Sequence, residues 1–236
     1  MSPRPADPGL PATLIETAAR LLAEEGPGAL STRRLAAEAG TSTMAVYTYF
    51  GGMDDLVRAM VREGFTMLND RMSAVAETED PASDVAALGL AYRRNAIEHR
   101  HLYSVMFGGS NLAGFRLTDE DRQHGRYTLE ILVKTVTRCM AAGRFAAGDA
   151  ELVAHQMWIA VHGLVTLELG GYLPEPYDAD TCFDALVRGL LIGAGDEITA
   201  ATRAVAASRT RPDVQALLAG RPRRQDSPRV EASPDR

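Results

Sequence analysis

Aromatic residues make up only 6% of this 236-residue chain. Runs of Val, Ile, Thr and Tyr bounded by turn residues are nearly absent too, which excludes a core built from sheets. Cysteine is equally scarce. Cys139 and Cys182 stand far apart, form no CxxC and follow no signal-peptide pattern, so a disulfide framework is excluded and a reduced, cytoplasmic setting is the expectation. The chain also lacks a surplus of positive charge. A net charge of −6 excludes a protein that coats nucleic acid by charge alone, because such binding comes from neutralising phosphates; a small basic face stays compatible with site-specific binding. Finally, no apolar stretch reaches the roughly 18 to 20 charge-free residues of a membrane span. The best candidate, Met157 to Leu167, is short and carries His162, so no membrane partner is expected.

What remains is a chain dominated by Ala, Leu, Glu and Arg, good helix formers, with 46% hydrophobic residues, enough for a real core. The composition predicts an all-α fold. Pro3, Pro5, Pro8 and Gly9 make residues 1 to about 10 a loose leader. A first helix is expected from Thr13, which has the spacing of a capping box with Glu16, through Leu14, Ile15, Ala18, Leu21 and Leu22 to the Gly26-Pro27-Gly28 stop. After two short helices, a longer one from Met53 toward Val75 carries Leu56, Val57, Met60, Phe65 and Leu68 at helical spacing. Further helical stretches follow Pro81, separated by a Gly-containing loop at Gly108 to Gly114, for about nine helices in all. The organisation read from these signals is a head at 11–57 with a linker helix to about 76, a second domain at 81–203, and a flexible tail at 204–236. From Arg203 onward eight Arg face four acids, so the tail could touch phosphates; a solvated terminus is the simpler reading.

The two short helices carry the first functional signal. Ser31 can cap a helix running through Leu35 and Ala36 to Ala39, Gly40 permits a left-handed turn, and Ser42 can cap a third helix from Thr43 to Tyr49. On that third helix Val46 and Phe50 share a side for burial, leaving Thr43, Met44, Tyr47 and Thr48 nearer the other. Two helices joined by a short Gly turn, the second showing small polar and aromatic groups, is the geometry of a helix-turn-helix that reads the major groove. Helical hairpins with Gly turns are common, and most of them only pack.

The stretch from Thr13 to Val57 resembles the DNA-binding head of the TetR family of bacterial regulators. The residues that carry the resemblance are Ile15, Ala18, Ala19 and Leu22, Gly26, the run Ser31-Thr32-Arg33-Arg34-Leu35-Ala36, Ala39-Gly40, Tyr47, Phe50, Asp54 and Leu56. It implies that Thr32 and Arg33 meet the DNA backbone and groove edge, and that Ser42 presents a helix N-terminus to phosphate. It further implies that Thr43, Met44, Ala45 and Thr48 face bases and that Tyr47 and Tyr49 bond phosphates through their hydroxyls; Tyr47 can also serve as a packing residue of the head. One departure stands out: Met53 occupies a place where the family commonly has Lys, which removes a phosphate contact. Residues 1–50 hold four Arg against five acids, so any positive face must be local.

The segment Trp158-Ile159-Ala160-Val161-His162-Gly163 resembles the Trp-xxx-His-Gly (WHG) signature of one TetR-family C-terminal domain. With Tyr92, Tyr103 and Phe107, it implies an effector-binding and dimerisation domain whose ligand contacts include Trp158 and His162. From spacing alone, Trp158 and His162 share a helix face; that suits a drug-sized pocket, but a core filled by Trp158 with His162 satisfying a buried carbonyl is the simpler reading of the spacing. Two operator half-sites require a symmetric dimer. The expected interface is Leu152, Ile159, Gly163 and Leu167 on one helix with Phe183, Leu186, Val187, Leu190 and Leu191 on the next, although the same stripes could close the monomer core.

The expected function is a ligand-responsive regulator, a repressor by preference, that binds double-stranded palindromic operator DNA as a homodimer and is released by a small-molecule effector. No catalytic set and no cofactor are expected. His155 and His162, seven apart, lack the close spacing and third ligand of a metal site, and no Gly-rich phosphate loop follows a strand. The competing reading is a dimeric small-molecule-binding protein whose head binds DNA weakly or not at all, prompted by Met53 and the acidic head.

Overall fold

The computed structural model describes residues 8–107 and 118–219. The loop expected at Gly108 to Gly114, most of the leader and the Arg-rich end beyond 219 lie outside the described residues. Within them the chain is all helical, with no strand. The head consists of α1 (Leu10–Glu25), α2 (Thr32–Glu38), α3 (Thr43–Phe50) and the start of α4 (Met53–Ser73). Then come α5 (Pro81–Glu98), α6 (Arg100–Phe107), α7 (Asp119–Ala141), α8 (Ala150–Leu169), α9 (Ala179–Gly193), α10 (Ile198–Thr210) and α11 (Pro212–Leu218).

Apolar stripes on α1, α2, α3 and α4 close the head: Leu14, Ala18, Leu35, Val46 and Leu56 are fully buried. In the body α5 is the axis. Of its 18 residues 14 are buried, among them five alanines, and small side chains let α4, α7, α8 and α10 pack around it. The side chain of Asp80 caps α5 by accepting the amides of Ala82 and Ser83, and Asp149 and Asp178 cap α8 and α9 in the same manner.

Three expectations are corrected. Helix α1 starts at Leu10, not Thr13, because Pro11 suits a first turn where its missing N–H costs nothing. Thr13 therefore lies inside the helix and donates its hydroxyl to the Gly9 carbonyl instead of forming a capping box with Glu16. Beyond 203 the end of α10 and the whole of α11 replace the expected flexible tail: Val205, Ser208 and Val214 are buried, while Arg209 pairs with Asp184 and Asp180 and Arg211 with Asp84 and Asp213. Lastly, α8 as a whole is long and apolar enough to cross a membrane by length and composition, which the shorter window Met157 to Leu167 did not show. It packs on α5, α7 and α9, and its Glu168 is held by Arg93 at 2.6 Å, so one face of α8 belongs to the bundle. Only 28% of its apolar window is buried, and the other face is left uncovered.

Candidate nucleic-acid interface and effector site

The turn between α2 and α3 is built on Gly40, whose φ of 63° favours glycine, and is closed by the Thr41 amide donating to the Ala36 carbonyl at 2.8 Å. Ser31 and Ser42 cap the two helices, their hydroxyls accepting from the amides of Arg34 and Ala45. With Val46 fully buried as the anchor of α3, the opposite side projects Thr43, Met44, Tyr47 and Thr48 into solvent. Met44 is 70% exposed and Tyr47 53%, large values for side chains with so much apolar surface and hence marks of a contact face. Ala45 and Tyr49 are half-buried, as is Thr32, whereas Arg33 and Ser42 are exposed. The hydroxyl of Thr48 donates to the Met44 carbonyl at 2.8 Å, so toward a partner it acts as an acceptor.

The structure also accounts for the head's unfavourable charge count. Arg20 pairs with Glu38 and Glu24, Arg34 pairs with Glu25 and approaches Glu38, and His101 of α6 approaches Glu24. Three acids are thus matched by two arginines on the α1–α2 side. Arg33 enters none of the ion pairs found among the described residues and stays exposed in the first turn of α2.

In the body, the structure brings together all five residues expected to meet a ligand. The Tyr103 hydroxyl lies 2.7 Å from His162 Nδ1, and the Tyr92 hydroxyl lies 3.1 Å from the same nitrogen and 3.0 Å from Tyr103. Phe107 sits edge-on to His162 with ring centres 4.5 Å apart, 5.0 Å from Tyr103 and 6.3 Å from Trp158. Phe65 of α4 completes the ring set against Phe107 at 5.8 Å. Sequence reasoning placed Phe65 only in a helical stripe; nothing in its spacing points to α6. Burial pushes the Tyr92 hydroxyl up to about 12 and raises that of Tyr103 as well. Burial lowers His162, keeping it neutral. With its proton on Nε2 the neutral ring accepts at Nδ1 from one phenol; in the other tautomer Nδ1 donates to a phenol oxygen. Among the described residues no three His, Cys, Asp or Glu side chains converge as metal ligands; His155 Nδ1 instead lies 2.8 Å from the Glu151 carbonyl oxygen.

For the expected dimer face the outcome divides. Leu152 is 56% exposed, Ile159 61% and Leu167 47%, with Gly163 also open to solvent. Phe183, Val187 and Leu191 are core residues instead, all but fully buried; Phe183 packs so closely on α5 that a Cβ added at Gly89 would lie 3.1 Å from its ring. Helix α9 is apolar on more than one side, and the stripe at 183, 187 and 191 is the inward one. Leu186 and Leu190 are half-buried at its edge, and the outward side runs through Ala185, Gly189 and Gly193.

Comparison with known proteins agrees with this geometry. Residues 14–60 match the family model for bacterial regulatory proteins of the tetR family, and residues 85–190 match the tetracyclin repressor-like C-terminal domain. An uncharacterized HTH-type transcriptional regulator of Mycobacterium tuberculosis is 28% identical over 185 residues, covering 77% of this chain and 79% of its own length. A solved structure of a protein with unknown function from Rhodococcus sp. RHA1 is 30% identical with a TM-score of 0.68, covering 83% of this chain and all of that one. FadR from Bacillus subtilis, solved in complex with stearoyl-CoA, shares the fold at 20% identity and a TM-score of 0.64, over 77% of this chain and 98% of its own. Head and body alike match in sequence and in shape, and the chain belongs to the TetR family of bacterial transcriptional regulators.

Proposed function

We propose that this regulator is a homodimeric repressor that binds palindromic double-stranded operator DNA in the cytoplasm and is released by a small-molecule effector. One observation carries the reading: α3 is anchored by Val46 and presents Thr43, Met44, Tyr47 and Thr48 outward, with Arg33 exposed in the first turn of α2. In this arrangement Thr43, Met44, Ala45 and Thr48 read base edges, while Thr32, Arg33, Ser42, Tyr47 and Tyr49 hold the backbone. Residues 11–57 form the reading head, the linker helix runs to about 76, and the body from 81 onward holds the effector site and dimer face. With Trp158, His162 and Gly163 in its α8, that body is of the Trp-xxx-His-Gly (WHG) type.

The route from effector to head runs through α6. It carries Tyr103 and Phe107 in the ring cluster, and it packs against α1 and α4; Gly64 of α4 admits the Met106 side chain where a Cβ would lie 2.5 Å from its sulfur. A guest that displaces Tyr103 or Phe107 must therefore move α6 against the head. A coupling of about 1 to 3 kcal/mol between the two sites makes a working switch. Three of the head's acids, Glu24, Glu25 and Glu38, are matched by Arg20 and Arg34 on the α1–α2 side, and this favours the DNA-binding reading over a binding protein with a lost head.

Gel shifts on the promoter region of its own gene, run over a salt series, test the reading. Specific retardation at low salt is expected. Arg33→Ala should weaken binding to all sequences alike and lower the slope of log affinity against log salt by about one unit. Absence of a shift at low salt from a protein that still binds a small molecule would leave only the competing reading.

A further inference from the structure

Resting on the ring cluster as the effector site, we infer that the effector is an uncharged, flat, largely apolar molecule carrying one hydroxyl or N–H donor, and that Asn95 accepts that donor. The first ground is charge. Arg93, next to Tyr92 in α5 and itself buried, is already spent: it donates to Glu168 at 2.6 Å and 2.7 Å and to Asp180 at 2.6 Å. His162 is neutral, and Tyr92 and Tyr103 are neutral phenols. An ionised guest would lose its hydration and find no free counter-charge among these side chains, a cost that paired burial alone offsets.

The second ground is shape. Tyr92, Tyr103, Phe107, Trp158 and His162 contact one another ring to ring, with centres 4.5 to 6.3 Å apart. A guest enters by replacing ring contacts, and only a flat apolar body restores them.

The third ground is a buried polar demand left open. The hydroxyls of Tyr92 and Tyr103 and Nδ1 of His162 bond among themselves. Asn95, by contrast, is 1% exposed, and its Oδ1 is fully buried with no hydrogen-bond partner. It stands three residues after Tyr92 on α5, hence one turn along the same side of the helix, beside the α5–α6 joint where the His99 amide bonds the Asn95 carbonyl. A buried acceptor without a donor is destabilising. A hydroxyl or N–H brought by the effector removes that cost only in the bound state, so Asn95 sets specificity for a donor.

Trp158 is the only tryptophan in the chain, so its fluorescence reports this cluster directly. The full-length protein is titrated with p-cresol, 4-methylbenzoate, 4-methylbenzylamine and toluene near neutral pH, where the first is neutral and the next two are ionised. Saturable change with p-cresol is expected, at a dissociation constant about tenfold or more below that of either ion and roughly fivefold below that of toluene. In Asn95→Leu, p-cresol should bind no better than toluene, with the melting temperature unchanged or higher. An ion bound as tightly as p-cresol, or a p-cresol preference intact in Asn95→Leu, overturns the inference and leaves the effector site standing. A Trp158 signal deaf to all four compounds removes both.

Discussion

Ile159→Asp is expected to yield a folded monomer whose operator affinity is about two orders of magnitude or more below that of the parent. Ile159 is 61% exposed in the single chain, so the substitution touches no core contact and the change in stability should stay within about 0.5 kcal/mol. In the proposed dimer the same position lies in a strip with Leu152, Gly163 and Leu167 that faces its own copy. A two-fold axis would then bring two carboxylates into a drying interface, where each charge costs several kcal/mol unless paired. Once the dimer is lost, each head binds its half-site alone, and the effective-concentration gain of roughly 10²- to 10⁴-fold from linking two sites disappears. Sedimentation velocity and gel shifts on the same preparation measure both effects. A variant that remains dimeric would show that the uncovered face of α8 serves something other than self-association.

Asp84→Ala should be the most destabilising single substitution in the body, by about 3 to 5 kcal/mol in urea unfolding at neutral pH. Asp84 is 2% exposed and accepts from the Thr78 amide at 2.9 Å, the Thr78 hydroxyl at 2.7 Å, Arg138 at 2.8 Å and Arg211 at 2.6 Å. Removing it takes a buried carboxylate partner from two guanidinium groups at the joint where the α4–α5 linker meets α11. The side chain of Arg138 is 31% exposed and can rehydrate, whereas that of Arg211 is 11% exposed and keeps only Asp213 and the Ala76 carbonyl; the lower part of the range follows if those remaining bonds hold Arg211 in place. The pH dependence has a definite sign. Burial raises the Asp84 carboxyl, but the Thr78, Arg138 and Arg211 bonds together outweigh it and hold the group below its ordinary 3.8. Its stabilisation is therefore complete above about pH 3.8 and lost as pH falls through the lower folded value. The gap between parent and variant should be constant from neutral pH down to that point and close below it.

The contrast between Arg211 and Ser42 shows what the chain discloses in one dimension. Ser42 caps a helix three residues away, so its role follows from local spacing, as do Ser31, Gly40 and the buried Val46. The helix-turn-helix is legible for that reason, whereas the start of α1 is not. Arg211 is bound to Asp84 across 127 residues, and a charge counted without its distant partner reads as solvated tail; helices α10 and α11 were missed on this account. Helix α9 failed differently. Its periodicity marks apolar faces, but not which of them meets α5, so of the two readings of Phe183 and Val187, dimer face or monomer core, only packing selects the core. In the cluster, Trp158 and His162 could be paired from their spacing and Tyr92, Tyr103 and Phe107 by resemblance, whereas the unpartnered oxygen of Asn95 exists only once α5 is packed.

Selection of bound sequences from random duplex DNA tests the central claim most directly, because one enriched motif reports specificity, symmetry and spacing together. The account predicts an inverted repeat whose half-site centres lie about 10 bp apart or a multiple of that, enriched by the full-length protein and not by Ile159→Asp. Enrichment of a lone asymmetric half-site, or of no sequence at all at low salt, would contradict it.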